Sequence, residues 1–346
     1  MTPHTAARRR AGALAVIELA ALASVAILSP AGADAPPRFE VPVDCTIGST
    51  CVVQNYVDHD PGPAAADHTC GPLSYDGHRG IDFRVPGRPE MEAGVAVIAA
   101  AAGVVRAVRD DMPDVSIRET GAESVRGREA GNAVVIEHGD GWETQYSHLR
   151  RGSVRVRPGQ RVEAGTPLGL IGLSGKTEFP HLHFAVRHGG QTLDPYTGRP
   201  PGSGCGRPGT PLWSADAHAV LAYRAGGLLA AGFAVQAPTI GDALAGQHRA
   251  ATLPADAGAL VFWAAAWGLR AGDREEATVT GPDGRAFAES RARVPKNKAQ
   301  WLRYTGRKRK AGPWPPGRYR GTYRVLRESD GGTVTVVEVT REVEVR

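Results

Sequence analysis

At 346 residues, with 42% apolar and 22% charged side chains, the chain is long enough for about two domains and too apolar to remain disordered. A formal charge of +5 is mild, so composition gives no ground for a nucleic-acid partner and none is expected. Aromatic residues at 6%, beside 44 Gly and 26 Pro, weigh against a bundle of long helices and favour a mainly β protein with many turns.

The chain opens on a leader. "ARRRAGALAVIELAALASVAILSPAGADA" has the basic cluster Arg8, Arg9 and Arg10, an apolar run to Leu28, and small residues at Ala31, Ala33 and Ala35. Together these read as a secretory signal peptide over residues 1–33. Cleavage after Ala33 is expected, since cleavage after Ala35 would set Pro36 against the scissile bond. Glu18 inside the run argues against an uncleaved anchor, and no later stretch approaches a spanning length, so no transmembrane segment is expected in the mature chain. Export puts Cys45, Cys51, Cys70 and Cys205 in an oxidising setting. Three connectivities are open; Cys45 with Cys51 and Cys70 with Cys205 is the expected one, because the first pair closes a short loop.

Residues 34–69 form an N-terminal segment whose "QNYVDHDPG" offers Asn55, Asp58, His59 and Asp60. A polar loop closed by Pro61-Gly62 is the expected reading; the alternative is that one of these side chains fills an open metal position. "YDGHRGIDF" then sets His78 and Asp82 four apart, with Gly77 and Gly80 arguing against a helix. If the stretch is extended, the two share a strand face.

From Val95 onward β-type runs alternate with turns, and Gly139-Asp140-Gly141 is a hairpin signal. Residues 110–131 are polar and read as an excursion between two strands. In "WETQYSHL" alternation places Thr144, Tyr146 and His148 on one face, and "HLHFAV" does the same for His181 and His183. The spacing does not say which of those last two meets a metal. The Gly/Pro-rich "TGRPPGSGCGRPGTP" marks a boundary near residue 210. This gives a domain over residues 70–210, an Ala-rich connector over 211–252 that Gly226 and Gly227 leave open between strand and short helix, and a small Ig-like β-sandwich over 253–346 with a Pro282-Asp283-Gly284 turn. Residues 291–325 hold twelve Lys or Arg and no acid, interleaved with Trp301, Tyr304, Trp314, Tyr319 and Tyr323. Such a stretch is expected either to meet an anionic wall polymer or to form a solvated face with charged edge strands.

Three His/Asp ligands with one open position are the donor set of a catalytic zinc site. The ordered set "HRGID", "YSHL" and "HLHF" after a "GLSG" loop resembles the lysostaphin/LytM-type zinc metallopeptidases of the duplicated-hybrid-motif fold, over about residues 70–196. The resemblance implies an antiparallel β-sheet domain with its site in a groove, one zinc ion held by His78, Asp82 and His183, and His148 with His181 as the catalytic pair. It also implies an endopeptidase acting on the peptide stems of peptidoglycan; the leader makes it an exported one, and with no wall-anchor or repeat-type wall-binding module visible a periplasmic location is expected. The alternative is a catalytically latent wall-binding regulator of other peptidoglycan hydrolases. Glu178 and Phe179 in "GKTEFPHLH" depart from the small residues common in relatives, and are expected to alter the substrate groove.

Overall fold

The structure, a computed structural model, describes residues 1–4 and 36–346. The leader expected over residues 1–33 lies, past residue 4, outside the described residues. Residues 36–346 form one compact unit in which strands dominate. Among the described residues no helix is long and apolar enough to cross a membrane.

In chain order the first half contributes β1 (Val52–Asn55), β2 (Ile81–Arg84), β3 (Ala96–Ile98), β4 (Gly103–Arg109), β5 (Asn132–Gly139), β6 (Trp142–Leu149), β7 (Arg161–Val162), β8 (Pro167–Leu170), β9 (His181–His188) and β10 (Gln191–Leu193). The large sheet runs β1-β2-β9-β6-β5-β4-β7, with β10 on β9, and every pairing in it is antiparallel. Ile81, Phe83, Val134, Ile136, Leu182, Phe184 and Val186 are buried on one face. Each such side chain taken from water is worth about 1.5–3 kcal/mol. With the core on that face, the opposite face of β2 and β9 is left for polar residues. The β5–β6 connection is the expected hairpin: Asp140 and Gly141 both have positive φ, as a two-residue type I′ turn requires.

The excursion at 110–131 lies between β4 and β5, as expected, and carries the short helix Ile117–Thr120. It is tied down rather than loose: Asp114 accepts from the backbone N–H of Leu173 at 2.8 Å and of Arg151 at 3.0 Å. Arg118 and Glu178 pair at 2.7 Å, which sets the excursion against the stretch just before β9.

Both expected disulfides are present, Cys45–Cys51 and Cys70–Cys205. The second spans 135 residues and so removes much of the freedom of the unfolded chain. Replacing Cys70 and Cys205 together by Ser is expected to lower unfolding stability by about 2–5 kcal/mol, read from denaturant midpoints. A change under 1 kcal/mol would show that the unfolded chain gains little from the cut.

The second half adds β11 (Gly227–Ala234), β12 (Thr252–Leu253), β13 (Ala259–Leu269), β14 (Arg274–Thr280), β15 (Ala286–Arg293), β16 (Lys298–Lys308), β17 (Gly317–Ser329) and β18 (Gly332–Val345). A sheet ordered β11-β13-β16 faces another ordered β12-β18-β17-β14-β15 across a shared apolar cluster. β11 falls inside the stretch read as a connector, yet it pairs with β13 from Gly227↔Trp267 to Ala234↔Val261. The reason lies in β13, whose eleven residues are all buried. Phe262, Ala264 and Ala266 point into the cluster between the two sheets, whereas Trp263, Ala265 and Trp267 join the core of the first half. A strand covered on both faces reads as a continuous apolar run.

The basic stretch 291–325 does not present an aromatic surface. Trp314, Tyr319 and Tyr323 are buried in the core, and only Tyr304 is about half exposed. Several of its arginines face acids on neighbouring strands, including Arg303–Glu275, Arg320–Glu342 and Arg324–Glu338. On β17 alternation explains the difference, with Tyr319 and Tyr323 inward and Arg318, Arg320 and Arg324 outward; on β16 Arg303 shares the face of Trp301, and both donate to the buried Glu275.

Candidate metal centre

Asp82 on β2 stands directly opposite His183 on β9, and a cross-strand pair shares one face of the sheet. His78 reaches the same place by another route. It does not lie on the strand but in the turn before it, where Gly77 has a φ of 73°, so the shared strand face expected for His78 and Asp82 is not what brings them together. Asp58 supports that turn: its carboxylate accepts from the N–H of Gly77 at 3.0 Å, and its own N–H donates to the His78 carbonyl at 2.9 Å.

The three side chains converge. Asp82 Oδ1 is 3.1 Å from His78 Nε2 and 2.9 Å from His183 Nδ1, and those two nitrogens are 3.2 Å apart. His78 Nδ1 donates to the Tyr56 carbonyl at 2.7 Å, which leaves the lone pair of Nε2 turned inward when the ring is neutral. Asp82 Oδ2 is held from outside by the Asn55 amide, which donates at 2.8 Å. Two imidazole nitrogens and one carboxylate oxygen, all within 4.8 Å of one another and mostly buried, are the mixed N/O donor set that zinc accepts. The residues present therefore fit a zinc ion.

Electrostatics agree with a site built for positive charge. Burial alone would push the Asp82 carboxyl up, but His78 and His181 and the hydrogen bonds from His181 and His183 hold it well below the usual carboxylate range. Burial pulls His78 down, and Asp82 more than offsets this, so its net shift is upward. A metal ion needs the neutral ring, so a cation and a proton compete for His78.

His148 arrives by a local irregularity. Ser147 stands opposite His183 and Tyr146 opposite Phe184, so regular alternation would send His148 to the core side with Tyr146. Thr144 and Tyr146 do share that side: their hydroxyls are 3.2 Å apart and the Tyr146 hydroxyl accepts from the N–H of Ala100. His148 leaves it, because Ser147 and His148 together oppose the single Ala133 of β5 and His148 has a φ of 64°. The bulge swings the ring to the site face, where its centroid is 4.7 Å from that of His181 and 6.0 Å from that of His183. The expectation that all three residues of "WETQYSHL" share one face thus fails at its last member.

His148 and His181 are held alike. His148 Nδ1 donates to the Ser174 carbonyl at 2.8 Å, and His181 Nδ1 to the Phe179 carbonyl at 2.9 Å. Each keeps Nε2 unprotonated when neutral, and His181 Nε2 is 3.5 Å from Asp82 Oδ1. Burial, then the neighbouring His181 and His183, keep His148 well below the usual histidine value. The pair can accept and return a proton beside the metal position.

The other residues of the N-terminal loop go elsewhere. His59 is buried between Asp194 at 2.8 Å and Ser203 at 3.2 Å, and Asp58 supports the His78 turn. Asn55 alone reaches the site. The partners that fix the rings, Tyr56, Ser174 and Phe179, act through backbone carbonyls, so their side-chain identities carried no signal.

Close packing behind His183 gives a further check. A Cβ on Gly80 would lie 2.6 Å from both Cε1 and Nε2 of His183 and 2.7 Å from the Phe184 carbonyl oxygen. Gly80→Ala is expected to turn the His183 ring and weaken zinc binding by about 10–100-fold, measured by competition with a chromophoric chelator. Unchanged affinity would mean the ring has room that the geometry denies it.

Residues 76–195 match the family described as Peptidase family M23. Among curated proteins, the peptidoglycan DD-endopeptidase ShyA of Vibrio cholerae is 33% identical over 109 residues, 32% of this chain and 20% of that protein. The DD-carboxypeptidase/endopeptidase Mpg of Neisseria meningitidis is 32% identical over 120 residues, 34% of this chain and 22% of its own length. The chain thus spans less than a quarter of either relative. A solved zinc-containing peptidase from Vibrio cholerae is similar at 26% identity over 46% of this chain and 39% of that one, with a TM-score of 0.31.

Proposed function

We propose, from the match of residues 76–195 to peptidase family M23, that the chain is an exported zinc-dependent endopeptidase that hydrolyses peptide cross-links of bacterial peptidoglycan. One observation carries the reading: His78 Nε2, Asp82 Oδ1 and His183 Nδ1 converge beside two further imidazoles whose Nε2 atoms no backbone group claims. The names of the relatives, a peptidoglycan DD-endopeptidase and a DD-carboxypeptidase/endopeptidase, suggest the substrate class. Export rests on the leader read from the sequence over residues 1–33, and a peptidoglycan substrate places the action outside the cytoplasm, in this reading in the periplasm. The peptidase domain is taken as residues 70–210, and the C-terminal β-sandwich as an accessory.

In this reading His78, Asp82 and His183 hold the zinc ion. When bound, zinc supplies a Lewis acid and brings the acidity of water near neutral, to about pKa 7. His148 and His181 do the proton work. Their Nδ1 atoms are fixed to carbonyls, so both rings present Nε2; one of the two takes the single proton that the attacking water loses and returns it to the leaving amine. While it holds that proton, its Nε2–H can donate to the negative charge that develops on the carbonyl oxygen. Asn55 keeps the Asp82 carboxylate from rotating.

Muropeptide mass spectrometry of purified sacculi incubated with the protein tests this. Cleaved stems that vanish on chelation and return with zinc are expected, and the fragments name the bond. Intact sacculi with zinc bound would instead support the alternative, a latent wall-binding regulator, for which Asn55 beside Asp82 is the group to examine.

A further inference from the structure

Arg84 is the one charged residue on the site face of β2 that the mechanism leaves without work. It sits directly opposite His181, and a side chain two positions from Asp82 points the same way. It is fully buried, yet no carboxylate meets it. Its Nη1 donates to Gln54 Oε1 at 2.5 Å and its Nη2 to Gln300 Oε1 at 3.1 Å, both neutral amides, and its Nε has no partner. A buried guanidinium without an anion is costly, and its planar fork suits a carboxylate held by two parallel bonds.

The guanidinium borders a pocket of about 330 Å³ that Phe179, Glu178, Arg118, Leu244 and Gln300 also line. Glu178 already pairs with Arg118, so neither charge answers Arg84. Phe179 links pocket to site: the Arg84 Cζ is 4.2 Å from its ring centroid, which is 5.0 Å from that of His181. The guanidinium therefore lies within roughly two to three extended residues of the catalytic imidazole. Gln300 is half-buried on β16, and its amide oxygen occupies a place that an anionic oxygen would fill better.

We infer that Arg84 is a specificity-determining residue, the base of a subsite that takes a free carboxylate of the substrate peptide, within three residues of the scissile bond, in exchange for the Gln300 amide. The inference rests on the peptidase reading and deepens it: the preferred substrates are acidic peptides, and their amidated counterparts are poor ones. Glu178 and Phe179, the departures noted in the sequence, then shape the entrance to this pocket.

The test is binding, not turnover, so it survives failure of the peptidase reading. The probes are acetyl-D-alanyl-D-alanine and its C-terminal amide, titrated by NMR against the metal-stripped full chain, where the carboxylate cannot be captured by zinc. The acid is expected to bind about tenfold tighter or more than the amide. Arg84→Gln should erase the preference. Gln300→Glu, which leaves the buried arginine in place and gives it an internal carboxylate, should erase it too, and serves if Arg84→Gln fails to fold. Equal binding of acid and amide, no binding of either, or a preference that survives Gln300→Glu would each overturn the subsite. Sacculi left intact by a protein that keeps the preference would count against the peptidase reading alone.

Discussion

His148→Ala is expected to lower kcat on sacculi by about 10²- to 10⁴-fold, the usual contribution of a positioned acid–base group, with zinc content unchanged. The ring is not one of the three convergent donors, so the metal stays. What goes is the Nε2 that faces the site, held there by the Ser174 carbonyl at 2.8 Å. Because His148 has a φ of 64°, the alanine variant keeps a backbone strain of roughly 1–2 kcal/mol that glycine would relieve. His148→Gly should therefore melt higher than His148→Ala and be equally slow. That pair of results separates chemistry from stability: if His148→Gly regains activity along with stability, the residue is a turn former and not a proton carrier.

Asp82→Ala should have the larger effect, removing both metal and activity. Asp82 Oδ1 is the only anionic member of the cluster and touches all three neighbouring imidazoles. Without it three rings crowd a buried space with no negative charge to draw a cation in. Zinc content by elemental analysis should fall to background after dialysis, and affinity by well over 100-fold, beyond the 10–100-fold that loss of a ligand's own hydrogen-bond partner brings. The metal-free variant should also lose the upward pull that Asp82 exerts on His78. A protein that keeps one zinc per chain would sink the assignment of the ligands.

Sequence carried the donors but not the reasons they meet. His181 and His183 could be placed on one face because a strand's period is two, and the structure keeps them there. His78 and His148 reached the site against that period, one through a turn at Gly77 and the other through a bulge opposite Ala133. Irregular backbone leaves no pattern in residue types; only the family motif could point to both. Arg84 was invisible for the opposite reason. An arginine inside a β run reads as an edge or surface residue, and nothing in "IDFRV" says that Gln300, 216 positions later, closes over it. The connector, open between strand and short helix in the sequence, holds both: β11 is a weak strand by composition, paired along the apolar strand β13 beside it. Of the two readings of the basic stretch, the aromatic binding surface counted residue types without asking which face each would take, whereas the solvated, charged face agrees with the exposed Arg–Glu pairs.

β13 has a consequence for the pocket beside Arg84. Its tryptophans, Trp263 and Trp267, sit in the core of the first half while their neighbours sit in the second. β16, which carries Gln300 to the wall of the pocket, is hydrogen-bonded along β13 from Ala259↔Lys308 to Leu269↔Lys298. Moving that wall would mean pulling two large rings out of their sockets, at several kcal/mol each. The gap between the halves is thus a gauge cut once, when the chain folds, and whatever enters the pocket is admitted by its own shape rather than by a closing jaw.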